Sequence, residues 1–369
     1  MLYKEVVEKI SVGVEKKLKQ KEYLKEGLFE VVDQGQSLVG GFSNDSSLVV
    51  KCDLPVIIFG DHTKCVKFID FPFIAGADGV KVLRAKECVD AKFLYYYTLL
   101  LTKKMIDKGY ARHYQFLEKM EVDIPSVDKQ KRIVNKIEEL FSELDSAVET
   151  LKKTKEQLTI YRQSVLKEAF EACLQSETLK DVCSCITDGD HMPPPKASSG
   201  IPFVMISDVK NNTIQWDDTA FVKRDYFEKL DKKRVPQKGD VLYTVTGSFG
   251  IPIIVDYEKE FCFQRHIALL RPNLTKIEQK YLFYVMQSPQ IFQQASDVAT
   301  GTAQKTVGLT VLRTINIPYD NIQQQRKIVN HIESRLSACE NIEKTVNEAL
   351  MQADAMRQSI LKKAFEGSL

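Results

Sequence analysis

Apolar residues recur at steps of three and four positions along two segments of the chain, residues 130–172 and 325–367. The first series opens with Ile133, Ile137, Leu140 and Leu144, and the second opens with Ile328, Ile332 and Leu336. Charged residues lie between them, and neither segment contains Pro or Gly before Gly367. This spacing predicts two helices, each roughly 60–65 Å long at about 1.5 Å per residue.

The two segments are copies of one another, because residue 130 matches residue 325 and the offset stays constant. The first begins "QKRIVNKIEE" and ends "RQSVLKEAFEA"; the second begins "QRKIVNHIES" and ends "RQSILKKAFEG". Each follows an Ile-Pro pair, Ile124-Pro125 or Ile317-Pro318. Pro restricts the residue before it to extended backbone, so we expect a strand to end there and a helix to begin soon after. The expected N-caps are Asp128 and Asn321.

A long isolated helix with one apolar stripe needs a partner to be stable. The natural partner of each copy is the other copy, in an antiparallel coiled coil. The alternative is that each helix breaks into a hairpin that packs on its own domain.

The remaining segments are also related, more weakly. "FIAGADGVKVLRA" (73–85) aligns with "FCFQRHIALLRP" (261–272), and an aromatic run follows each, at 93–97 and 281–284. Short β-like runs at 55–59 and 241–246 are split by turn residues. We therefore predict an α+β protein with two globular mixed domains, 1–125 and 176–318, separated by two long antiparallel helices, 126–175 and 319–369.

Composition bounds the function without deciding it. The 369 residues are 44% apolar and 28% charged, with a net charge of +2, so a DNA-binding surface would have to be a local basic patch. No secretory signal or apolar run of bilayer length is found, so we expect a cytoplasmic protein without a membrane partner. The eight cysteines show no CxxC; Cys183 and Cys185 are interpreted as free thiols rather than zinc ligands or a disulfide.

These features together resemble the specificity subunits of type I restriction-modification systems. The resemblance rests on the Ile-Pro exits, on "QKRIVNKIEELFSELD" and "RQSVLKEAF", and on their repetition. The second globular half adds "KGDVLYTVTGSFG" (238–250), "QRHIALLRP" (264–272) and "GTAQKTVGLTVLRTINIP" (301–318). The first half adds "VVDQGQSLVGGF" (31–42) and "ADGVKVL" (77–83), but has "GYARHYQFL" (109–117) where the other half has "GTAQK".

The resemblance implies that each globular domain is a target-recognition domain, which reads one half of a split site in double-stranded DNA. The helices would fix the unread gap and dock two methyltransferase subunits, with translocase-nuclease restriction subunits as further partners. S-adenosylmethionine and ATP would bind those partners; this chain would be non-catalytic and would hold no cofactor or metal. Because the two halves differ in sequence, we expect an asymmetric site.

We expect DNA contacts from polar loop residues beside glycines, since Arg and Lys suit guanine and Gln and Asn suit adenine. The first-half candidates are Gln34, Gln36, Ser43, Asn44, Lys64, Arg112, His113 and Tyr114. The second-half candidates are Lys196, Thr246, Ser248, Arg265, His266, Gln304, Lys305 and Thr306. Phosphate contacts, or simply solvated charged faces, are expected of Lys103, Lys104, Lys108, Lys232, Lys233 and Arg234.

Other interpretations stay open at this point. Trp216 is expected to be a core anchor, and Asp188, Asp190 and His191 a rigid surface loop rather than a metal or acid-base site. "DHMPPPK" lacks the aromatic residue of an amino-methyltransferase motif, and "GTAQKT" lacks the glycine of a phosphate-binding loop. The competing functions are a coiled-coil scaffold whose globular ends bind proteins, and an enzyme with an unrecognised site.

Overall fold

The computed structural model describes residues 1–77, 79–105, 111–173, 175–191, 194–301 and 304–368. The chain forms two compact units. The first consists of residues 1–152 together with 348–369, and the second consists of residues 153–347.

The first unit is a mixed α+β structure. Its strands are β1 (Val7–Ile10), β2 (Phe29–Val32), β3 (Gly41–Ser43), β4 (Val56–Gly60), β5 (Val66–Ile69), β6 (Phe73–Ala75) and β7 (Val80–Ala85). Its shorter helices are α1 (Tyr3–Val6), α2 (Ala91–Lys104) and α3 (Tyr114–Leu117). An antiparallel sheet has the order β1-β7-β4-β5, and a second sheet has the order β3-β2-β6, in which β2 and β6 are parallel.

The second unit repeats this plan with additions. Its strands are β8 (Gln175–Thr178), β9 (Cys183–Asp188), β10 (Lys196–Ala197), β11 (Ile201–Val204), β12 (Val209–Lys210), β13 (Thr213–Ile214), β14 (Ala220–Val222), β15 (Val241–Thr244), β16 (Pro252–Ile254), β17 (Cys262–Phe263), β18 (Ile267–Pro272) and β19 (Asn316–Tyr319). The order β9-β18-β15-β16 corresponds to β1-β7-β4-β5, and the parallel pair β11 and β17 corresponds to β2 and β6.

Two long helices join the β-rich parts. The helix that follows the first set of strands is α4 (Val127–Glu171). The shorter helices of the second unit are α5 (Leu179–Val182), α6 (Arg224–Glu228), α7 (Gln279–Gln287), α8 (Pro289–Val298) and α9 (Leu309–Leu312), and the chain ends with α10 (Ile322–Glu366). Both α4 and α10 have 45 residues, about 68 Å at 1.5 Å per residue. Each is a single uninterrupted helix, so the hairpin alternative is wrong.

The long helices pair antiparallel within each unit. In the second unit, Arg162 of α4 lies 2.9 Å from Glu343 of α10, while Glu168, further along α4, lies 2.7 Å from Arg335, earlier on α10. In the first unit, Ile137, Phe141, Leu361 and Ala364 share one apolar cluster. The predicted fold class, two mixed domains and two long antiparallel helices, is confirmed.

The far end of each long helix is part of a β-rich core. In the second unit, the ring of Phe170 meets Tyr281 of α7 edge-on at 5.4 Å between centroids. In the first unit, the equivalent Phe365 of α10 meets Phe93 of α2 edge-on at 5.2 Å. Each unit is therefore closed by the end of one long helix and the start of the other.

A buried glutamine fixes the start of each long helix. The Gln130 amide, with no exposed surface, donates to the carbonyls of Cys88 (3.1 Å) and Pro125 (2.8 Å), and its oxygen accepts from the N–H of Asp90 (2.7 Å). These bonds tie the loop before α2 to the Ile-Pro exit.

The second unit repeats this arrangement at Gln325, which is equally buried. Its amide donates to the carbonyls of Lys276 (2.9 Å) and Asp320 (2.7 Å) and accepts from the N–H of Glu278 (2.9 Å). Conserved geometry at duplicated positions indicates that these two side chains set the angle at which each helix leaves its domain.

Replacing Gln325 by Leu should lower the free energy of unfolding by about 2–4 kcal/mol, because two buried carbonyls and one N–H lose their partners. The matched control is Gln323→Leu, since Gln323 lies one half-turn earlier on α10 and is exposed. Urea unfolding followed by circular dichroism measures both. Equal stability of the two variants would contradict the role given to Gln325.

Candidate nucleic-acid interface

Five of the second-half candidates come together in the second unit. They line one cavity of about 320 Å³ and are Thr246, Arg265, His266, Gln304 and Thr306. Arg265 and Gln304 are exposed, His266 and Thr306 are half-buried, and Thr246 is buried. The cavity opens at the ends of β15 and β18, so strands of the antiparallel sheet position most of these side chains.

Backbone hydrogen bonds hold the two loops of this cavity together. The N–H of Gly247 donates to the carbonyl of Lys305 at 2.9 Å, and Thr246 and Thr306 form an isolated antiparallel bridge. Gly247 has φ +69°, and a Cβ built there would lie 2.8 Å from Nε2 of Gln304. Glycine is needed at this turn both for its backbone conformation and for the space that the Gln304 amide occupies.

An adjoining cavity of about 310 Å³ extends the same surface. It shares His191, Arg265 and His266 with the first cavity and adds Lys196 and Gln264. Together the two cavities form one groove with both polar and apolar lining, which we call the second-unit groove. Ser248 and Lys305 are exposed on the loops beside it.

The loop that carries His191 forms one wall of the groove, and side-chain contacts hold it in place. His191 Nε2 lies 3.0 Å from Asp188 Oδ2, and the Tyr226 hydroxyl donates to Asp190 Oδ2 at 2.6 Å. Arg234, expected at a phosphate, donates instead to the carbonyl of Gly189 at 3.0 Å. His191 is thus a groove residue, although the sequence predicts for it a surface loop and not a DNA contact.

Partial burial lowers the pKa of His266, and the neighbouring Arg265 cation lowers it further. At neutral pH the ring is therefore uncharged, with one nitrogen able to donate and one able to accept a hydrogen bond. The groove combines the cations of Arg265 and Lys196 with the uncharged His266 ring, and its lining also includes the carboxylates of Asp188 and Asp190.

In the first unit, the candidate loop after β2 is locked to the turn between β4 and β5. The Gln34 carbonyl accepts from the Thr63 hydroxyl at 2.7 Å, its side-chain oxygen accepts from the N–H of His62 at 3.2 Å, and the Cys65 thiol donates to the Gly35 carbonyl. The structure therefore brings Gln34 beside the turn that carries Lys64.

His113 and Tyr114 need correction as candidate contacts. His113 is 1% exposed, and both its N–H and its Nδ1 lie within 3.0 Å of the Asp61 carbonyl. The Tyr114 N–H donates to the Asp61 carboxylate at 2.8 Å, and its ring packs 6.0 Å from Phe59. Both side chains are core elements, since neither reaches the surface where DNA would lie.

Two further first-half candidates organise a turn. The Asn44 side chain accepts from the N–H of Leu28 at 3.0 Å, and the hydroxyl of the buried Ser43 accepts from the N–H of Asp45 at 3.2 Å. Gln36 and Arg112 are exposed and remain candidates.

The basic runs have mixed placements. Lys103 and Lys104 are exposed at the end of α2, and Lys232 and Lys233 are exposed on a short turn. Lys108, with Gly109, lies outside the described residues, as do Thr302 and Ala303 of the second-unit loop. Trp216 packs edge-on against Phe261 at 5.4 Å, in agreement with an anchoring role.

The eight cysteines are free thiols that form no disulfide. Over the described ranges, the structure groups no three or more His, Cys, Asp or Glu side chains in a way that would hold a metal ion. Nor does any helix within those ranges combine the length and apolar character that a bilayer span requires.

A family model described as "Type I restriction modification DNA specificity domain" matches residues 4–159 and 174–352. The chain belongs to this family. One curated member is the type I restriction enzyme EcoBI specificity subunit of Escherichia coli, 24% identical over 275 residues. That alignment covers 67% of this chain and 58% of the relative, so the chain spans less than two thirds of the relative's length.

Two solved structures share the fold. The HsdS subunit from Thermoanaerobacter tengcongensis superposes with a TM-score of 0.57 at 20% identity, covering 100% of this chain and 96% of that one. A chain from work on complex assembly and conformational transition of the type I R-M system gives 0.70 at 19% identity, with 100% and 97% covered.

Replacing Arg265 by Gln should raise the pKa of His266 towards its ordinary value of about 6.5, because one of the two causes of the lowering is removed. In the parent, the folded state takes up this proton at lower pH than the unfolded state, so the group's contribution to stability falls as the pH drops below about 6.5. Histidine NMR titration, with the resonance assigned from His266→Gln, measures the shift. An unchanged or lower pKa would contradict this account of the groove.

Proposed function

We propose that this chain reads a sequence in double-stranded DNA, as the specificity subunit of a type I restriction-modification complex. The observation that carries this proposal is that the same arrangement of sheets and candidate loops occurs in both units. Each unit has the same two sheets and a candidate loop at the same topological position, the turn between β4 and β5 or between β15 and β16. Membership of the DNA specificity family supports the same conclusion.

The chemistry of the second-unit groove suits base recognition. Arg265 and Lys305 can donate to guanine, and Gln304 can pair with adenine through its amide. Phosphate contacts would position the duplex, and the groove side chains would choose its sequence. Because the net charge is only +2, specific contacts rather than a general positive field should dominate the choice of site.

The target is proposed to be split and asymmetric. The loops at equivalent positions differ, with Lys64 on one turn and Thr246 and Ser248 on the other, so the two halves of the site should differ as well. The long paired helices would set the length of the unread segment between them, as paired half-site readers do elsewhere.

The long helices are also proposed to dock two methyltransferase subunits, which would in turn recruit the restriction translocase-nuclease subunits. A cavity of about 1240 Å³ in the first unit, between α2 and the two long helices, offers one docking surface. Tyr95, Tyr96 and Phe141 give it an aromatic floor, and Arg357 and Lys362 lie at its edge. S-adenosylmethionine and ATP are proposed to bind those partners, and this chain to be non-catalytic.

Replacing Gln304 by Ala should weaken binding to the specific duplex by about 1–3 kcal/mol, with little change for other duplexes, because one bidentate base contact is lost. Gel shift with the purified methyltransferase partner measures this, and exposed Gln157 supplies the control Gln157→Ala. If the parent complex binds all duplexes equally at moderate salt, the chain is a scaffold and the proposal fails.

Exchanging residues 1–125 for the equivalent domain of another family member should change one half of the methylated site and leave the other half unaltered, because the loops proposed to read the two halves lie in different compact units. Methylome sequencing of a host that carries the chimaera and its partners reads out both halves. A change in both halves would contradict independent readers.

A further inference from the structure

A second cavity in the first unit lies between the loop after β2 and helix α2. Its volume is about 560 Å³, and its walls include Gln36 of the loop, Lys64 and Lys67 of the β4–β5 turn and β5, and Lys103 of α2. Among the described residues that line it there are three lysines and no carboxylate. It is a positively charged cavity beside a candidate base-reading loop.

Lys67 is the unusual member of this set. It is 4% exposed, yet its ammonium group has no hydrogen-bond partner in the described part of the chain. Its ion-pair neighbour, Asp33 Oδ1, lies 3.6 Å away, which is too far for a hydrogen bond. A buried ammonium group without hydrogen bonds is costly, and a bound anion in the cavity that Lys67 lines would remove that cost.

The surroundings favour an anion with several oxygens. Lys103 is exposed at the rim, where it can swing towards a ligand, whereas Lys67 is held inside by the strand. The Asp33 carboxylate lies beside Lys67 and also accepts from the N–H of Gly35 at 2.8 Å. A phosphate group offers the charge and the multiple acceptors that separated ammonium groups bind as point charges.

We propose that this cavity binds one phosphate group. This proposal rests on the proposed function: the phosphate group would belong to the DNA backbone. It would be held beside the bases that Gln34 and Gln36 read. Such a contact would fix the position of the first reading loop along the duplex without itself choosing sequence. The same cavity chemistry would also accept a free phosphate, and the experiments separate the two sources.

The first experiment measures DNA affinity of the complete complex, this chain with its methyltransferase partner, from about 50 to about 200 mM salt. Lys103→Met should reduce the slope of log affinity against log salt by about 0.9, the loss of one phosphate contact, and leave sequence preference unchanged. Lys119→Met, an exposed lysine of the same unit away from the cavity, should keep the parental slope. Lys67→Met should act like Lys103→Met.

The second experiment needs no DNA. Inorganic phosphate should raise the thermal unfolding temperature of the isolated full chain relative to chloride at equal ionic strength, and Lys67→Met should abolish that rise. If Lys67→Met does not fold, since Asp33 then loses its ion-pair neighbour, Lys103→Met provides the same comparison with a smaller loss.

The outcomes separate as follows. A reduced slope supports the DNA backbone as the source, and phosphate stabilisation with an unchanged slope supports a free phosphate instead. An unchanged slope for Lys103→Met together with no stabilisation by phosphate overturns the site. If the parent complex has no sequence preference, the proposed function fails. Stabilisation by phosphate, and its loss in Lys67→Met, would still test whether the cavity binds phosphate.

Discussion

Burial of the two apolar stripes of α4 and α10 is the constraint on which the rest of the structure depends. In each unit the helices pack antiparallel, and the end of one of them closes the β-rich core, through Phe170 on Tyr281 or through Phe365 on Phe93. Burying one such aromatic side chain contributes about 1.5–3 kcal/mol, so the helix ends are part of each core's stability. Each β-rich core is therefore completed by helical residues distant from it in sequence.

The regular features could be predicted from the sequence because they depend on local periodicity and repetition. The stripe spacing predicts the long helices, and the Ile-Pro exits predict where they begin to within a few residues. Asn321 directly precedes α10 and caps it, as predicted, whereas Asp128 lies in the first turn of α4 and is not its N-cap. The sequence could not show the role of Gln130 and Gln325. From residue type alone, each is only a polar residue near the start of a helix. Their burial depends on carbonyls some 40 to 50 positions earlier, such as Cys88 and Lys276, which only tertiary structure brings near.

Tertiary structure decides where the candidate contact residues lie. Thr246, Arg265 and Gln304 line one cavity because loops beside glycines at strand ends meet at one edge of a sheet. His113 and Tyr114 also stand in a polar stretch, but Asp61, more than 50 positions earlier, accepts hydrogen bonds from both of their backbone N–H groups, and both side chains are buried. The polarity of a residue in the sequence does not show whether its side chain is exposed and able to bind a ligand or is buried in the core.

Duplication of the scaffold with divergence of its loops gives two units of the same topology whose exposed loops differ. The sheets superimpose in topology, whereas the β4–β5 turn carries Lys64 and the β15–β16 turn carries Thr246 and Gly247. The contacts that stabilise each core come from the strands and the buried glutamines. The exposed loop residues can therefore be substituted without disrupting the core. If the chain reads DNA as proposed, positioning and base selection would use different side chains. A buried cation such as Lys67, fixed by its strand, would suit the first task, and exposed amides such as Gln36 and Gln304 would suit the second.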